Sequence, residues 1–461
     1  MVQTKSIQQI LRDRGYSPPQ DDTYNYISAW LAWYQGCVDD FHRYDVYNGI
    51  QKVRCRRYTL GMAKKICEDW ANLLLNEKVE IVAGNKKQTE EIQAILHENN
   101  FRVRANQLIE ISFALGTGAF IEYKDLSGRV IIEYVRADMI FPLSWDNGEV
   151  TECAFGSYKV IEGSECIYIQ IYRKGRGDEE DTKRYYIENV YYYLDGTVYD
   201  RAGSTQAVVS TGTDQPLFQL IRPNIYNNID LESPMGVSIY ANALDQLKGC
   251  DLVYDSYLNE FLLGKKRIIV PATMARIDMG NDGAMRPIFD PNDTVFYALP
   301  DGNRGDVTQK ISENNMEIRS QAHEMGLQRV LDSLSLKCGM GNNRYKYDSG
   351  GVKTATEVIS EKSDLYQNLR KNELILETAL KNLILASSKL SGIQLDPKKI
   401  SINFDDSIIT DRQSEMKQDL QLVTAGIMQK WEFRVKYFGE TEQEARKAVE
   451  TPEMSLFEGE E

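Results

Sequence analysis

Between Ser233 and Lys389 two long helical patterns flank a strand-rich insert, and a third opens at Gly350-Gly351-Val352-Lys353-Thr354-Ala355-Thr356-Glu357. Ser233-Pro234 can serve as N-cap and first helical residue. From there Ile239, Ala243, Leu247, Cys250, Tyr254, Tyr257 and Phe261 recur at steps of four or three, which predicts a helix of about 25 residues and roughly 37 Å, ended at Gly264. Arg267 to Leu299 changes to short apolar runs, Ile268-Ile269-Val270 and Thr294 to Leu299, punctuated by Pro271, Gly280, Gly283, Pro287 and Pro291. This predicts a small β element. Glu317 to Leu336 resumes helical spacing through Ile318, Ala322, Met325 and Leu327 to Leu334, so the two helices can pack antiparallel with the β element as a cap. Thr354 and Glu357 then form a capping box for a helix carrying Val358, Leu365, Leu369, Leu376, Leu380 and Leu383, running to about Leu390.

The rest of the 461 residues is more than one core accommodates, so several subdomains are expected. The first 140 residues read as mostly helical: Ile27 to Tyr34, Tyr58 to Glu77 with Leu60, Ala63, Ile66, Trp70 and Leu73 on one face, Gln88 to Asn99, and Arg102 to Leu115. Asp39 to Tyr47 reads as a polar stretch, Val79 to Val82 as a strand, and Gly116-Thr117-Gly118 as a turn into another. Val130 to Tyr199 has period two, in the runs 130–134, 152–160, 165–173, 185–193 and 197–199, with Asp195-Gly196 as a hairpin signal. It is an antiparallel meander whose tyrosines β-propensity explains better than base stacking. Ile400 to Phe404 reads as a strand and Asp411 onward as a helical tail. The fold class is α+β.

Composition narrows the chemistry. No run reaches the ~18 apolar residues of a membrane helix, and Met1 to Arg14 lacks the apolar core of a signal peptide, so neither membrane nor secretion is expected. Cys37, Cys55, Cys67, Cys153, Cys166, Cys250 and Cys338 have no metal spacing and read as buried, reduced thiols. His42, His97 and His323 lie far apart and share no motif. A net charge of −14 argues against tight wrapping of nucleic acid, whose affinity comes from released counterions, without excluding passing contact, and ordinary solubility charge explains the number best.

Gly350-Gly351-Val352-Lys353-Thr354 is no phosphate loop, because a valine separates glycine from lysine and no apolar strand precedes. Gly339-Met340-Gly341 lacks the third glycine of a dinucleotide site. Asp405 and Asp406 point to opposite faces of an extended chain and cannot by themselves chelate an ion. With no hydrolase, metalloprotease or kinase motif, no catalytic residue, metal or cofactor is expected.

Six segments, in order, resemble the portal proteins of tailed bacteriophages, in the branch from phages and prophages of Gram-positive bacteria. They are Trp30 to Gly36 (WLAWYQG), Tyr58 to Glu77, Ala114 to Tyr123 (ALGTGAFIEY), Asn224 to Tyr240 (NIYNNIDLESPMGVSIY), Gly350 to Leu365 and Gly426 to Ala445. The resemblance implies a portal fold: a helical and β wing over 1–232, stem helix 1 over 233–266, a small α/β clip over 267–312 and stem helix 2 over 313–336. A tunnel-loop region over 337–353, a tunnel helix and wing return over 354–410, and a short helical crown over 411–461 complete it. It implies a homo-oligomeric ring, usually a dodecamer, at one capsid vertex of the virion, assembled in the host cytoplasm. Double-stranded DNA would pass through it non-specifically, with the terminase large subunit, a head-completion adaptor, and the major capsid and scaffolding proteins as partners. Carried onto this chain, Lys337, Arg344, Lys346 and Lys353 become the DNA contacts, as mobile cations on a loop. Ile268, Ile269, Val270, Phe296 and Tyr297 become the clip interface, contacting neighbours by strands added across subunits. Two other readings predict different behaviour: a DNA-processing enzyme (nuclease or packaging ATPase) would show turnover with magnesium, and a non-ring scaffold or adaptor would stay monomeric.

Overall fold

The structure, a computed structural model, describes residues 5–47, 49–125, 127–176, 182–200, 207–264, 267–271, 277–279, 285–287, 295–299, 312–314, 317–346, 355–404, 412–438 and 441–450. The chain opens with α1 (Ile7–Asp13), where the Ser6 hydroxyl accepts from the Gln9 amide, and α2 (Asp21–Tyr34). A hairpin of β1 (Arg43–Tyr47) and β2 (Lys52–Arg56) precedes α3 (Met62–Leu74), β3 (Glu80–Ala83), α4 (Lys86–Glu98) and α5 (Phe101–Leu115). A reciprocal Asn85–Gln88 capping box starts α4, and Gly116, at φ +86°, stops α5.

Strands follow: β4 (Gly118–Lys124), β5 (Val130–Arg136), β6 (Ile140–Asp146), β7 (Glu149–Ile161), β8 (Ser164–Lys174), β9 (Tyr185–Tyr193), β10 (Val208–Ser210) and β11 (Phe218–Ile221). They make an antiparallel five-stranded sheet, β10-β9-β8-β7-β6, and a three-stranded sheet, β11-β4-β5. Phe218 joins the two, its ring meeting Phe155 at 5.7 Å and Tyr172 at 5.8 Å edge-on. The expected Asp195-Gly196 turn is present: Gly196 has φ +85° and Tyr193 donates to the Thr197 carbonyl.

The second half holds α6 (Leu244–Leu263), β12 (Arg267–Pro271), β13 (Ile277–Met279), β14 (Met285–Pro287), β15 (Val295–Leu299), β16 (Ser312–Asn314) and α7 (Ser320–Lys337). Then come the 37-residue α8 (Ala355–Ser391), β17 (Ile400–Asn403), α9 (Arg412–Thr424), α10 (Lys430–Phe438) and α11 (Glu442–Glu450). β17 pairs antiparallel with β3, so the late strand closes onto the N-terminal part. One apolar core runs from Ile7 through Trp70, Phe113 and Tyr172 to Leu383 and Ile402.

Several expectations change. The polar stretch before Tyr47 is half of an exposed hairpin, β1–β2, and β6 is a further strand that falls between the expected runs 130–134 and 152–160. The first long helix starts at Leu244 rather than at Ser233-Pro234. Its intended first turns spend their backbone donors elsewhere: Gly236 N donates to Thr117 Oγ1 at 3.0 Å and Ile239 N to the Phe113 carbonyl at 2.9 Å. Tyr240 is fully buried with its hydroxyl on the Trp30 carbonyl, so tertiary partners have replaced helical ones. The second long helix begins at Ser320, and β16 occupies the start of the segment 313–336 assigned to it. Thr354 as a cap, Asp405-Asp406 and Gly350–Lys353 lie outside the described residues. Five cysteines are buried as expected, but Cys37 is exposed and Cys55 half-exposed.

Candidate functional site: a helix pair with a β cap

α6 and α7 run antiparallel in constant register. At one end Arg319 Nε and Nη2 donate to Glu260 Oε1 and Oε2, both at 2.9 Å. Next, Ser256 Oγ lies 3.1 Å from His323 Nε2. His323 Nδ1 donates to the Arg319 carbonyl at 2.9 Å, which leaves Nε2 to accept from the serine hydroxyl. Val253 faces Gly326, Gly249 faces Val330, and Lys337 Nζ donates to the Asn242 carbonyl at 3.0 Å. Each step up α6 is matched by an equal step down α7. The glycines permit this approach: a Cβ on Gly249 would stand 3.0 Å from Val330 Cγ1.

The pair is rooted and its far end is not. Leu247, Cys250, Leu327, Leu331, Leu334 and Cys338 are buried in the common core. Phe261, Leu262 and Ile318 at the far end are exposed, as are Leu252, Met325 (70%) and Leu336 along the pair. The Arg319 pair holds the Glu260 carboxyl down at about 2.

A junction that the sequence reading missed locks α6 to the base of the β1–β2 hairpin. The Val38 amide donates to His42 Nδ1 at 2.9 Å, so His42 Nε2 carries the proton it donates to Asp251 Oδ2, also at 2.9 Å. Asp251 Oδ1 accepts from the Leu60 amide at 2.7 Å, and Asp255 Oδ1 from the Tyr58 amide at 2.9 Å. The only legible signal is a pair of acids at i, i+4 on the otherwise apolar helix face that carries Cys250 and Tyr254.

The segment after α7 is fastened for most of its described length. Trp70 Nε1 donates to the Cys338 carbonyl at 3.1 Å, Asn368 Nδ2 to that of Gly339 at 3.2 Å, and Gln328 Nε2 to that of Tyr345 at 3.1 Å. The Tyr345 hydroxyl donates to Asp69 Oδ2 at 2.9 Å, and burial raises the Cys338 thiol to about 12. Lys337 is therefore no mobile loop cation: it sits in the last turn of α7 and bonds a carbonyl. Arg344 and Lys346 are exposed on the loop, while Lys353 lies outside the described residues.

In the β cap, Ile268 and Ile269 on β12 stand opposite Phe296 and Tyr297 on the parallel strand β15, and Val270 opposite Ala298. β16 pairs antiparallel on the other side, putting Ile268 opposite Glu313 and Ile269 opposite Ser312. The strand order is β15-β12-β16, so β12 is central and its backbone groups are used on both sides. Among the described residues Ile268 and Ile269 thus have strand partners on both sides, and the sheet's edges are β15 and β16.

Among the described residues no group of three or more His, Cys, Asp or Glu stands together as a metal cage, and no helix is long and apolar enough to cross a membrane. No curated protein matches the sequence. Among solved structures the chain is similar to one in "Virion of native gene transfer agent (GTA) particle", at 12% identity and TM-score 0.43, covering 93% of this chain and 97% of that one. A chain in "Neck of empty GTA particle computed with C6 symmetry" is similar at 13% identity and TM-score 0.42, covering 94% and 98%. A chain in "Neck of native GTA particle computed with C12 symmetry" has 11% identity and TM-score 0.40, covering 82% and 89%. The sequence matches the family described as "Phage portal protein, SPP1 Gp6-like" over residues 18–455, nearly its whole length, and the chain therefore belongs to that phage portal family.

Proposed function

We propose that copies of this chain close into a ring, expected to hold twelve, that sits at one vertex of a phage capsid and lets double-stranded DNA in during packaging and out during ejection. Membership of the portal family over residues 18–455 is the observation that carries this reading. The α6–α7 pair supplies the stem, with α6 alone about 30 Å long at 20 residues. The β cap is the clip, docking the terminase large subunit during packaging and a head-completion adaptor afterwards. The part before α6 is the wing, which meets the major capsid and scaffolding proteins, and α9 to α11 form a short crown. The protein works as a conduit and platform, without a reactive group of its own.

In a closed ring of identical subunits each copy presents two different surfaces to its neighbours. The exposed apolar side chains of α6 and α7, with Leu252 at 52% and Leu336 at 53%, supply area for such contacts. Arg344 and Lys346, with Lys353 beyond them, touch phosphates in passing, while the net charge of −14 keeps the duplex from being held. Sedimentation and negative-stain imaging of the purified chain, alone and with scaffolding protein, test the reading. Rings with a central hole are expected. A chain that stays monomeric under every assembly condition overturns it, as does magnesium-dependent ATP or DNA hydrolysis abolished by Lys353→Ala or Asp405→Ala.

A further inference from the structure

The β1–β2 hairpin is exposed along nearly its whole length, which a two-stranded ribbon tolerates poorly unless something covers it. Its register sorts its side chains into two unlike faces, because directly paired residues share a face. Arg43, Asp45 and Tyr47 stand opposite Arg56, Arg54 and Lys52, and Tyr44 and Val46 opposite Cys55 and Val53. One face is basic, with Tyr47 at its end 66% exposed, and the other is apolar, with Val46 at 45% and Val53 at 39% exposure. Asp45 is taken by Arg54 and Asp39 lies by Arg43, so among the described residues Lys52 and Arg56 have no carboxylate. The ribbon is held stiffly: Arg57 lies over the Phe41 and Tyr44 rings at 4.4 and 4.8 Å, and the His42–Asp251 bond fixes its base to α6.

A surface of opposite character lies elsewhere on the same chain. Residues 223–247 carry Asp230, Glu232 and Asp245 and no lysine or arginine. Tyr226 at 75%, Leu231 at 64% and Ile229 at 39% exposure give this acidic loop an apolar surface. Beside it is a cavity of about 260 Å³ lined by Asp22, Tyr26, Trp30, Ile229 and Asp230, and no hairpin residue lines it.

We infer that the β1–β2 hairpin of one copy docks on the acidic, apolar loop 226–232 and the adjoining cavity of the next copy. The occupant is a second copy rather than DNA, because the hairpin offers apolar area that a phosphate backbone cannot use, and because the receiving loop matches it in charge and in apolar content. The two surfaces differ, so the contact is heterologous and propagates around a ring. This rests on the ring reading in taking a second copy as the partner.

Two measurements on the full chain test it. The variants Lys52→Glu/Arg56→Glu and Asp22→Lys/Glu232→Lys are each expected to lower the ring fraction in sedimentation by about tenfold or more, and the four changes together to restore it. In Cys37→Ser/Leu231→Cys a short bis-maleimide is expected to join Cys55 of one copy to the introduced thiol of the next, giving a ladder of linked chains. Rings that survive Lys52→Glu/Arg56→Glu with no ladder overturn the docking and leave the ring reading standing. A ladder without closed rings keeps the docking and overturns the ring. Intact rings that lose DNA retention in Lys52→Glu/Arg56→Glu, without a ladder, assign the hairpin to nucleic acid and overturn the inference.

Discussion

Gly116 is expected to be far less replaceable than a glycine of the same conformation elsewhere. It ends α5 at φ +86°, and a Cβ there would stand 2.6 Å from the Gly236 carbonyl oxygen and 2.7 Å from the Val237 carbonyl carbon. Both obstacles are backbone, in a segment tied to Thr117 and Phe113, so neither can swing aside. Gly392, just after α8, has φ +78° and nothing within 4 Å of such a Cβ. Gly392→Ala therefore measures the left-handed strain alone, about 1–2 kcal/mol. Gly116→Ala adds overpacking against fixed backbone, about 1–3 kcal/mol more, for roughly 2–5 kcal/mol in all. Urea unfolding followed by tryptophan fluorescence reads the difference, since Trp30, Trp33 and Trp70 are all buried in the core that this crossing closes. If Gly116→Ala costs no more than Gly392→Ala, the close passage of the two chain segments is not what anchors the entry to the stem.

Asp251→Ala is expected to cost about 2–6 kcal/mol, because it strands the His42 and Leu60 donors at about 1–3 kcal/mol each, and hydrogen exchange at the Leu60 amide should show the loss locally. Asp251→Asn should cost less, since it keeps an acceptor for Leu60. The Arg319–Glu260 pair has a defined pH window, because the Glu260 carboxyl is lowered from 4.5 to about 2. Its contribution is fully present above pH 4.5 and is lost as pH falls through about 2. Exchange at the cap end of α6 and α7 should accelerate over that range in the native protein, and Arg319→Ala should remove the dependence. Lys337→Met should cost about 0.3–1 kcal/mol in thermal unfolding, as the loss of a helix C-terminal cation, and leave DNA passage unchanged. A packaging defect in that variant without a stability change would return Lys337 to the DNA-contacting set.

Periodicity alone located α3, α4, α5, α7 and α8 to within a few residues, the strands β5, β7, β8 and β9, and β3 and β17 as separate strands, whereas β6 and β10 had no run and 197–199 forms only a bridge from Val198 to Tyr192. These depend on each segment's own pattern of buried and exposed positions, and Leu365, Leu369, Leu376, Leu380 and Leu383 of α8 are indeed the buried ones. Their order also carried the portal resemblance.

Tertiary structure decided the rest, because a local pattern says which positions are buried and is silent about what buries them. Ile239 and Ala243 fit the spacing of α6, yet Phe113, Thr117 and Trp30 hold the chain before Leu244 out of the helix. The pairing of β3 with β17 and the bond from His42 to Asp251 join residues far apart in the chain, with no local trace. Lys337 looked like a loop cation until α7 continued through it and gave its ammonium the Asn242 carbonyl. Sequence determined most of the helices, the longer strands and the family they spell; the fold determined which backbone groups were already spent, and so where each element could begin.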